Sequence, residues 1–325
     1  MTRPRLVSVI IGTRNRPDTL REALASIRAL EGADLAFEIL VGDNGDDPRT
    51  PDVVAEFGGR YSSTAKYGCP AARNLALREA SGEFLAFLDD DDLWLPSHIR
   101  PHIALLDERP ELSAVFGRIQ SVDALLQPLG EPWPTELPGD GDLFKTMLAG
   151  YFPQVGGTLV RASLLSEIGL MDEDLIGDSD WDWQLRIARQ GRIGFVPVTC
   201  VLFRQRPPGS FDDLQLRRMG YTRKIFWRHA WPSRREWRGA KELLRDYFKA
   251  VETYYAYFVS SAAGRARAGD RAGALKALAF AFRTAPHRVL KGLVSHSEIQ
   301  KSARAALFSR GNEPIGSTRP SGDGR

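Results

Sequence analysis

Gly82-Glu83-Phe84-Leu85-Ala86-Phe87-Leu88-Asp89-Asp90-Asp91-Asp92 decides the reading of this chain. The run Glu83 to Leu88, apolar from Phe84 onward, suits a strand buried on both faces, and four carboxylates follow it without a spacer. The next residues, Leu93-Trp94-Leu95, are apolar again, so the aspartates lie between two buried segments. Mutual repulsion makes such crowding costly unless a cation neutralises it. Hard oxygen donors suit Mg²⁺ or Mn²⁺, ions that bridge carboxylates and substrate phosphates. The plainer reading, an acidic surface turn, fits this setting less well.

Working outward, the first 120 residues alternate strand and helix patterns. Leu6 to Ile11 is a short β-branched run ended by Gly12. Pro17-Asp18 then opens a helix to about Leu30, proline being tolerated in a first turn. Phe37 to Val41 is a second buried strand, closed by the turn residues Gly42-Asp43-Asn44-Gly45. Pro70 begins an amphipathic helix that closes near Ser81-Gly82, and Pro96-Ser97 begins another. Strand and helix alternating over short connections predict an α/β fold with a doubly wound, mostly parallel sheet. In such sheets ligands bind beyond the carboxyl ends of the strands. Thr13-Arg14-Asn15, Asp43-Asn44 and the four aspartates all fall at such ends.

Further along, Leu112 to Ile119 reads as a strand and the Pro- and Gly-rich Gln127 to Asp142 as a loop suited to a mobile lid. Ala162 to Ile168 and Trp181 to Gln190 read as helices. Ile193 to Phe203 is a strand whose Pro197 places it near a sheet edge. Beyond 211 the chain turns basic and aromatic at helical spacing; between Arg204 and Lys249 there are 13 Lys/Arg against 5 Asp/Glu. That excess suits phosphate, an anionic lipid surface or an acidic partner, or simply a solvated helical face. Arg267-Ala268-Gly269-Asp270 before Ala272 to Thr284 predicts a helical hairpin, and the Gly, Ser, Pro and charge from 309 predict disorder. The expected organisation is 1–210 as the α/β domain, 211–308 as a basic helical extension and 309–325 as a disordered tail.

The 325 residues carry a net charge of only +3, with 43% hydrophobic and 26% charged residues, so nothing global points to nucleic acid. Cys69 and Cys200 show neither metal-type spacing nor a disulfide framework, which fits a reducing compartment. Met1-Thr2-Arg3-Pro4 leads almost directly into a strand, and no apolar run approaches the roughly 20 residues that cross a bilayer. A cytoplasmic location is expected, with peripheral contact at the membrane's inner face left open for the C-terminal helices.

Val7-Ser8-Val9-Ile10-Ile11-Gly12-Thr13-Arg14-Asn15-Arg16 resembles the opening strand and loop of family 2 glycosyltransferases, which have the GT-A fold. Ile39 to Asp46 resembles that family's second nucleotide-binding strand. Ala72-Arg73-Asn74 with the stretch quoted first resembles the approach to its aspartate-rich metal motif. Ser179-Asp180-Trp181-Asp182-Trp183-Gln184-Leu185-Arg186 resembles the helix start that supplies its catalytic base. Each motif alone is weak, and four in the family's order are strong. The resemblance covers roughly residues 5 to 210. It implies that Thr13, Arg14 and Asn15 line the nucleotide site with Asp43 and Asn44. Arg14 replaces the usual base-stacking aromatic, and Asn44 replaces an aspartate that binds the base. An asparagine carbonyl still accepts from a pyrimidine N3–H. The resemblance further implies that Arg73 approaches the nucleotide, that Asp89 and Asp90 bind ribose or metal-bound water, and that Asp91, with Asp89, holds the Mg²⁺ or Mn²⁺ ion. Arg206 stands near a position where many relatives have a histidine; its guanidinium would clamp the diphosphate, or it is a surface arginine of the basic stretch.

The implied activity is transfer of a sugar from a nucleotide diphosphate donor, a UDP-sugar before a dTDP- or GDP-sugar, to an acceptor hydroxyl of a glycan, lipid-linked or small-molecule acceptor. Surface polysaccharide, glycolipid or metabolite biosynthesis is the expected setting. A divalent ion offsets charge on the leaving diphosphate, and Asp180 takes the acceptor proton. One base opposite the leaving group predicts inversion at the anomeric carbon. Without the resemblance, Asp180 reads as an ordinary helix N-cap. Asp178 is a weaker alternative base and Asp182 reads as structural. Gln184 is followed by Leu185-Arg186-Ile187, not by the processive relatives' Gln-x-x-Arg-Trp, so one transfer per encounter is expected. Trp94, Trp181 and Trp183 are either core residues or sugar-stacking walls. A sugar-phosphate nucleotidyltransferase would want a glycine-rich phosphate loop after the first strand, and Gly12-Thr13-Arg14-Asn15-Arg16 has one glycine. A catalytically degenerate nucleotide-sugar binding or scaffold protein is the non-enzyme alternative.

Overall fold

The computed structural model describes residues 3–136, 138–139, 141–151, 153–205, 212–286 and 288–290. Arg206 and the tail from 309 lie outside the described residues. One sheet holds eight strands: β1 (Arg5–Thr13), β2 (Leu35–Asp43), β3 (Arg60–Ser63), β4 (Phe84–Asp89), β5 (Leu93–Trp94), β6 (Leu112–Val122), β7 (Thr158–Arg161) and β8 (Arg192–Arg204). Their order is β3-β2-β1-β4-β7-β6-β8-β5. The first four in space run parallel, β7 is antiparallel to both β4 and β6, and β5 is antiparallel to β8. The expected α/β class with a mostly parallel sheet holds.

Helices α1 (Pro17–Arg28), α2 (Thr50–Glu56), α3 (Cys69–Glu79) and α4 (Ile99–Glu108) connect these strands. β4 shows why its sequence is apolar throughout. Phe84, Ala86 and Leu88 pack into one layer with Leu24 and Ile27 of α1 and Ile103 and Leu106 of α4. Leu85 and Phe87 point the other way, into a layer with Ala76 and Leu77 of α3 and Trp183. The strand's period of two thus serves two cores. Helix α5 (Phe144–Leu148) and α7 (Ser179–Gln190) fill the second layer.

Several short elements depart from the expectations. β3, β5, β7 and α2 span two to seven residues, too few for a periodic signal. Ala162 to Ile168 divides into a 3-10 turn (Ala162–Leu164) and one turn of helix, α6 (Leu165–Ile168). Pro197 of β8 sits where the β6–β8 pairing slips between Phe195 and Thr199, and only the two-residue β5 lies outside it. The segment expected as a lid is pinned in its described part. Trp133 exchanges backbone hydrogen bonds with Ile119 at 2.8 and 2.7 Å, and its Nε1 donates to Ser121 Oγ at 3.1 Å.

The chain divides into two compact units, Met1–Pro207 with Gly220–Ala250, and Pro208–Met219 with Val251–Arg325. Gly220–Ala250 thus groups with the sheet in the first unit. In α8 (Asp212–Ala230) and beyond, Ile225, Phe226, Ala230 and Trp237 enter the same core layer as Phe87 and Trp183. Arg228 pairs with Asp172 at 2.8 Å and Asp182 at 3.1 Å. Part of the basic excess thus answers internal carboxylates, and Phe226, Trp227 and Trp237 pack with the core while Trp231 stays exposed. Helix α9 (Ala240–Ala250) completes this unit. In the second unit α10 (Glu252–Arg267) and α11 (Arg271–Thr284) form the expected hairpin. Gly269 turns at φ +78°, and Asp270 caps α11 by accepting from the Gly273 N–H at 2.8 Å. Phe258 and Phe280 meet edge to face at 5.3 Å inside it. No helix among the described residues is long and apolar enough to cross a membrane.

Candidate active site

Parallel register brings three expected residues to one edge of the sheet. Thr13 ends β1 opposite Asp43 of β2, and Gly12 lies opposite Asp89 of β4. Gly42 is required there, because a Cβ would fall 1.9 Å from the Ala72 carbonyl oxygen. That close approach seats α3 over the strand ends and delivers Arg73.

The four aspartates divide by environment. Asp89 and Asp91 keep 30% and 19% of their side chains exposed, whereas Asp90 and Asp92 are buried. Asp90 accepts from Thr13 Oγ1 at 2.8 Å and from Arg16 Nη1 at 3.0 Å. The same Arg16 nitrogen reaches Asp91 Oδ2 at 3.0 Å. Burial, with the neighbouring Asp91 and Asp89 charges, outweighs Arg16 and Thr13 and pushes the Asp90 carboxyl up to about 6. Asp92 accepts from the Arg204 N–H at 2.9 Å and from Gln154 Nε2 at 3.2 Å. Burial first and Asp89 second raise it well above the usual carboxylate range. Asp90 and Asp92 therefore anchor the turn, and Asp89, which accepts from Arg73 and from Gln154 Nε2 at 3.3 Å, and Asp91 stay partly exposed.

Arg73 is buried and bonds Asp89 through Nη2, while its Nε has no hydrogen-bond partner among the described residues. Burial works against its charge, but Cys69, Asp89 and Asp180 together hold it firmly protonated. Asp180 thus shares one electrostatic neighbourhood with the aspartate turn, although it comes from the start of α7. It is partly exposed, and its Oδ1 accepts from the Trp181 N–H at 3.0 Å. Asp178 is buried in the left-handed conformation at φ +60° and accepts from Thr222. Asp182 is buried under His229, Arg186 and Arg228, the structural position expected of it.

The nucleotide-side residues have distinct tasks. Arg14 lies over the exposed Tyr67 ring at 4.7 Å. Asn15, at φ +55°, donates to Asp46 at 2.8 Å and accepts from the Asp46 and Asp47 N–H groups, tying the two strand-end loops together. Asp43 is buried and accepts from the Gly45 N–H and the Tyr61 hydroxyl. Asn44 Nδ2 donates to the Gly68 carbonyl at 2.8 Å. Since that partner can only accept, the side-chain orientation is fixed and Oδ1 remains the acceptor.

Arg16, Gln154 and Tyr67 join the site although sequence reasoning gave them no role. Arg16 stood inside the quoted first loop, so the loop itself was its signal. Gln154 and Tyr67 lie in aperiodic stretches and gave none. The three tryptophans are core: Trp94, Trp181 and Trp183 are buried, and their indole N–H groups donate to the carbonyls of Gly156, Met147 and Gly169. None is a sugar-stacking wall. Beside Gln154, a cavity of about 260 Å³ is lined by Gly117, Ile119, Trp133, Pro134, Tyr151 and Pro153 among others.

Comparison with known proteins bears on this geometry. Residues 8–169 match the family model described as Glycosyl transferase family 2. The chain is 28% identical over 242 residues to an uncharacterized glycosyltransferase, YwdF, of Bacillus subtilis, covering 69% of this chain and 84% of that one. It spans 32% to 64% of the length of the next curated relatives it matches. Among solved structures it is similar in fold to Staphylococcus aureus TarS (residues 1–349), with a TM-score of 0.58 at 17% identity, covering 93% of this chain and 88% of that one. It is also similar in fold to the mannosyltransferase PcManGT of Pyrobaculum calidifontis, solved with GDP-Man and Mn²⁺, with a TM-score of 0.53 at 20% identity, covering 94% and 86%.

Proposed function

The chain belongs to glycosyl transferase family 2, and on that premise we propose that it is an inverting, non-processive, metal-dependent enzyme that transfers a sugar from a nucleotide diphosphate donor to an acceptor hydroxyl. The observation that supports this reading is the bond of buried Arg73 to Asp89 at the strand ends, with the charge of Asp180 acting on the same guanidinium.

Asp89 and Asp91 fit a hard divalent ion, Mg²⁺ or Mn²⁺, because both are partly exposed carboxylates on one turn, steadied from behind by Asp90 and Asp92. When bound, such an ion supplies Lewis-acid neutralisation of the departing diphosphate. Arg16 and Arg73 add fixed positive charge beside the same carboxylates and orient them. The Asn44 carbonyl favours a base with an N3–H, so uracil is the proposed base, with Arg14 and Tyr67 flanking it. Asp180 accepts the proton of the acceptor hydroxyl as that oxygen attacks the anomeric carbon from the face opposite the leaving group. Asp178 is less suited, being buried and engaged by Thr222. The acceptor is a hydroxyl of a surface glycan, a glycolipid or a small metabolite.

The test is a screen of UDP-, dTDP- and GDP-sugars with Mn²⁺, following nucleotide diphosphate release. Recovered product is then examined by NMR for the anomeric configuration. Metal-stimulated UDP release and an inverted product are expected; metal-independent release or a retained configuration would overturn the mechanism.

A further inference from the structure

His98 immediately precedes α4 and His102 lies in its first turn, so the i, i+4 spacing puts both on one face. Across from them β8 places Cys200. All three are fully buried, and one potential ligand atom from each lies within 4.8 Å of the other two. Cys200 seemed to lack metal-type spacing because its two neighbours come from a distant stretch of chain.

The histidines are arranged as ligands are. His102 Nδ1 is 2.6 Å from the His98 carbonyl oxygen, which can only accept, so Nδ1 carries the proton and Nε2 keeps its lone pair. Holding the second ring nitrogen on a backbone carbonyl is how metal-binding histidines are commonly oriented. Nε2 of His102 and both ring nitrogens of His98 have no hydrogen-bond partner among the described residues. Buried polar atoms left unbonded are destabilising, and an ion beside the thiol would engage one ring nitrogen of each histidine. Burial holds both imidazoles neutral, the form that coordinates. Trp94 closes the cluster edge-on to His98 at 4.7 Å. Gly117 and Gly157 bring bare backbone to the sulfur: a Cβ at either would lie 2.7 or 3.1 Å from Sγ.

We propose that His98, His102 and Cys200 form a binding site for one soft metal ion, Cu⁺ or Zn²⁺, separate from the carboxylate site. Two imidazoles and a thiolate match the ligand preferences of these ions. On coordination the Cys200 thiol, which now donates to the Arg118 carbonyl at 3.1 Å, loses its proton to solvent and forms the metal–sulfur bond. Burial alone disfavours that thiolate, and the cation supplies the compensating charge. Two neutral imidazoles and one thiolate balance a monovalent ion completely, which favours Cu⁺ in so dry a place. The ligand atoms would close by about an ångström to reach the spacing around a metal with bonds of about 2.0 to 2.3 Å. The ion would staple the start of α4 to β8.

The whole chain is expressed in separate cultures supplemented with copper or zinc, purified without chelator, and analysed for metal by mass spectrometry. About one equivalent per chain is expected from at least one culture. X-ray absorption at that metal's edge should show nitrogen near 2.0 Å and one sulfur near 2.2 to 2.3 Å. Cys200→Ala and His98→Phe should retain less than a tenth of the metal with an unchanged circular dichroism spectrum, and Cys69→Ala should retain all of it. The absorption spectrum judges the wild-type chain even where a variant fails to fold. Wild-type protein free of both metals, a spectrum without sulfur, or full retention in folded Cys200→Ala would overturn the site.

Discussion

Thr13 Oγ1 donates to Asp90 Oδ2 across 2.8 Å, joining the end of β1 to the acidic turn after β4. Neither group reaches solvent to any extent, so the bond has no ready substitute. Thr13→Val keeps the shape and removes the donor, which should destabilise the chain by about 1 to 3 kcal/mol. Thr13→Ser should recover most of the loss. Urea unfolding of the three proteins measures this, and equal midpoints would show the bond to be unimportant.

Asp182 makes the same point for α7. Burial alone would raise its pKa, but the His229 hydrogen bond and the Arg186 and Arg228 charges outweigh that and hold it below the ordinary carboxylate value. A depressed folded-state pKa contributes stability that is present above the unfolded value, about 3.9, and is lost as pH falls through the folded one. Stability should therefore fall more steeply below about pH 4 in the wild type than in Asp182→Asn. At neutral pH that variant should be less stable by about 3 kcal/mol, since it strands partly buried cations. Denaturant titrations at pH 7 and pH 3.5 check both signs.

For Asp180 the expectation is kinetic. Asp180→Asn should bind donor as the wild type does while transfer falls by about 10² to 10⁴-fold. Calorimetry and product formation separate the two effects. Full transfer by this variant assigns the base elsewhere.

Asn44 should govern the base. Because Nδ2 is committed to the Gly68 carbonyl, Asn44→Leu removes the acceptor proposed for a pyrimidine N3–H and should weaken UDP by about tenfold, roughly 1.4 kcal/mol. GDP should be affected less. Equal losses for both nucleotides would point to a general disturbance of the loop instead.

Much of this arrangement was legible in the sequence. β1, β2 and β4 announce themselves because strands buried on both faces are apolar along most of their length, and their polar ends gather at one edge of the sheet. The distinction among the aspartates was not legible. Four identical residues in a row give no clue that Asp90 and Asp92 turn inward to Thr13, Arg16, Arg204 and Gln154 while Asp89 and Asp91 stay accessible. β7 escaped because four residues after a Gly-Gly turn show no period, and Gln154 because it lies in the aperiodic stretch before that turn. The packing of residues 220–250 onto the sheet was not legible either. Amphipathic aromatic helices look alike whether they face a membrane, a partner or their own sheet, and Phe226 and Trp237 face their own core.

The most direct test of the account is calorimetric titration of UDP, or of a donor identified by the screen, into the wild type and Asp91→Asn, each with Mn²⁺ and with EDTA. Wild-type binding should weaken at least tenfold in EDTA, and Asp91→Asn should show the weak value in both conditions. Equal affinity with and without the ion, or tight Mn²⁺-dependent binding by Asp91→Asn, would contradict the claim that the turn after β4 holds a cation against a nucleotide diphosphate.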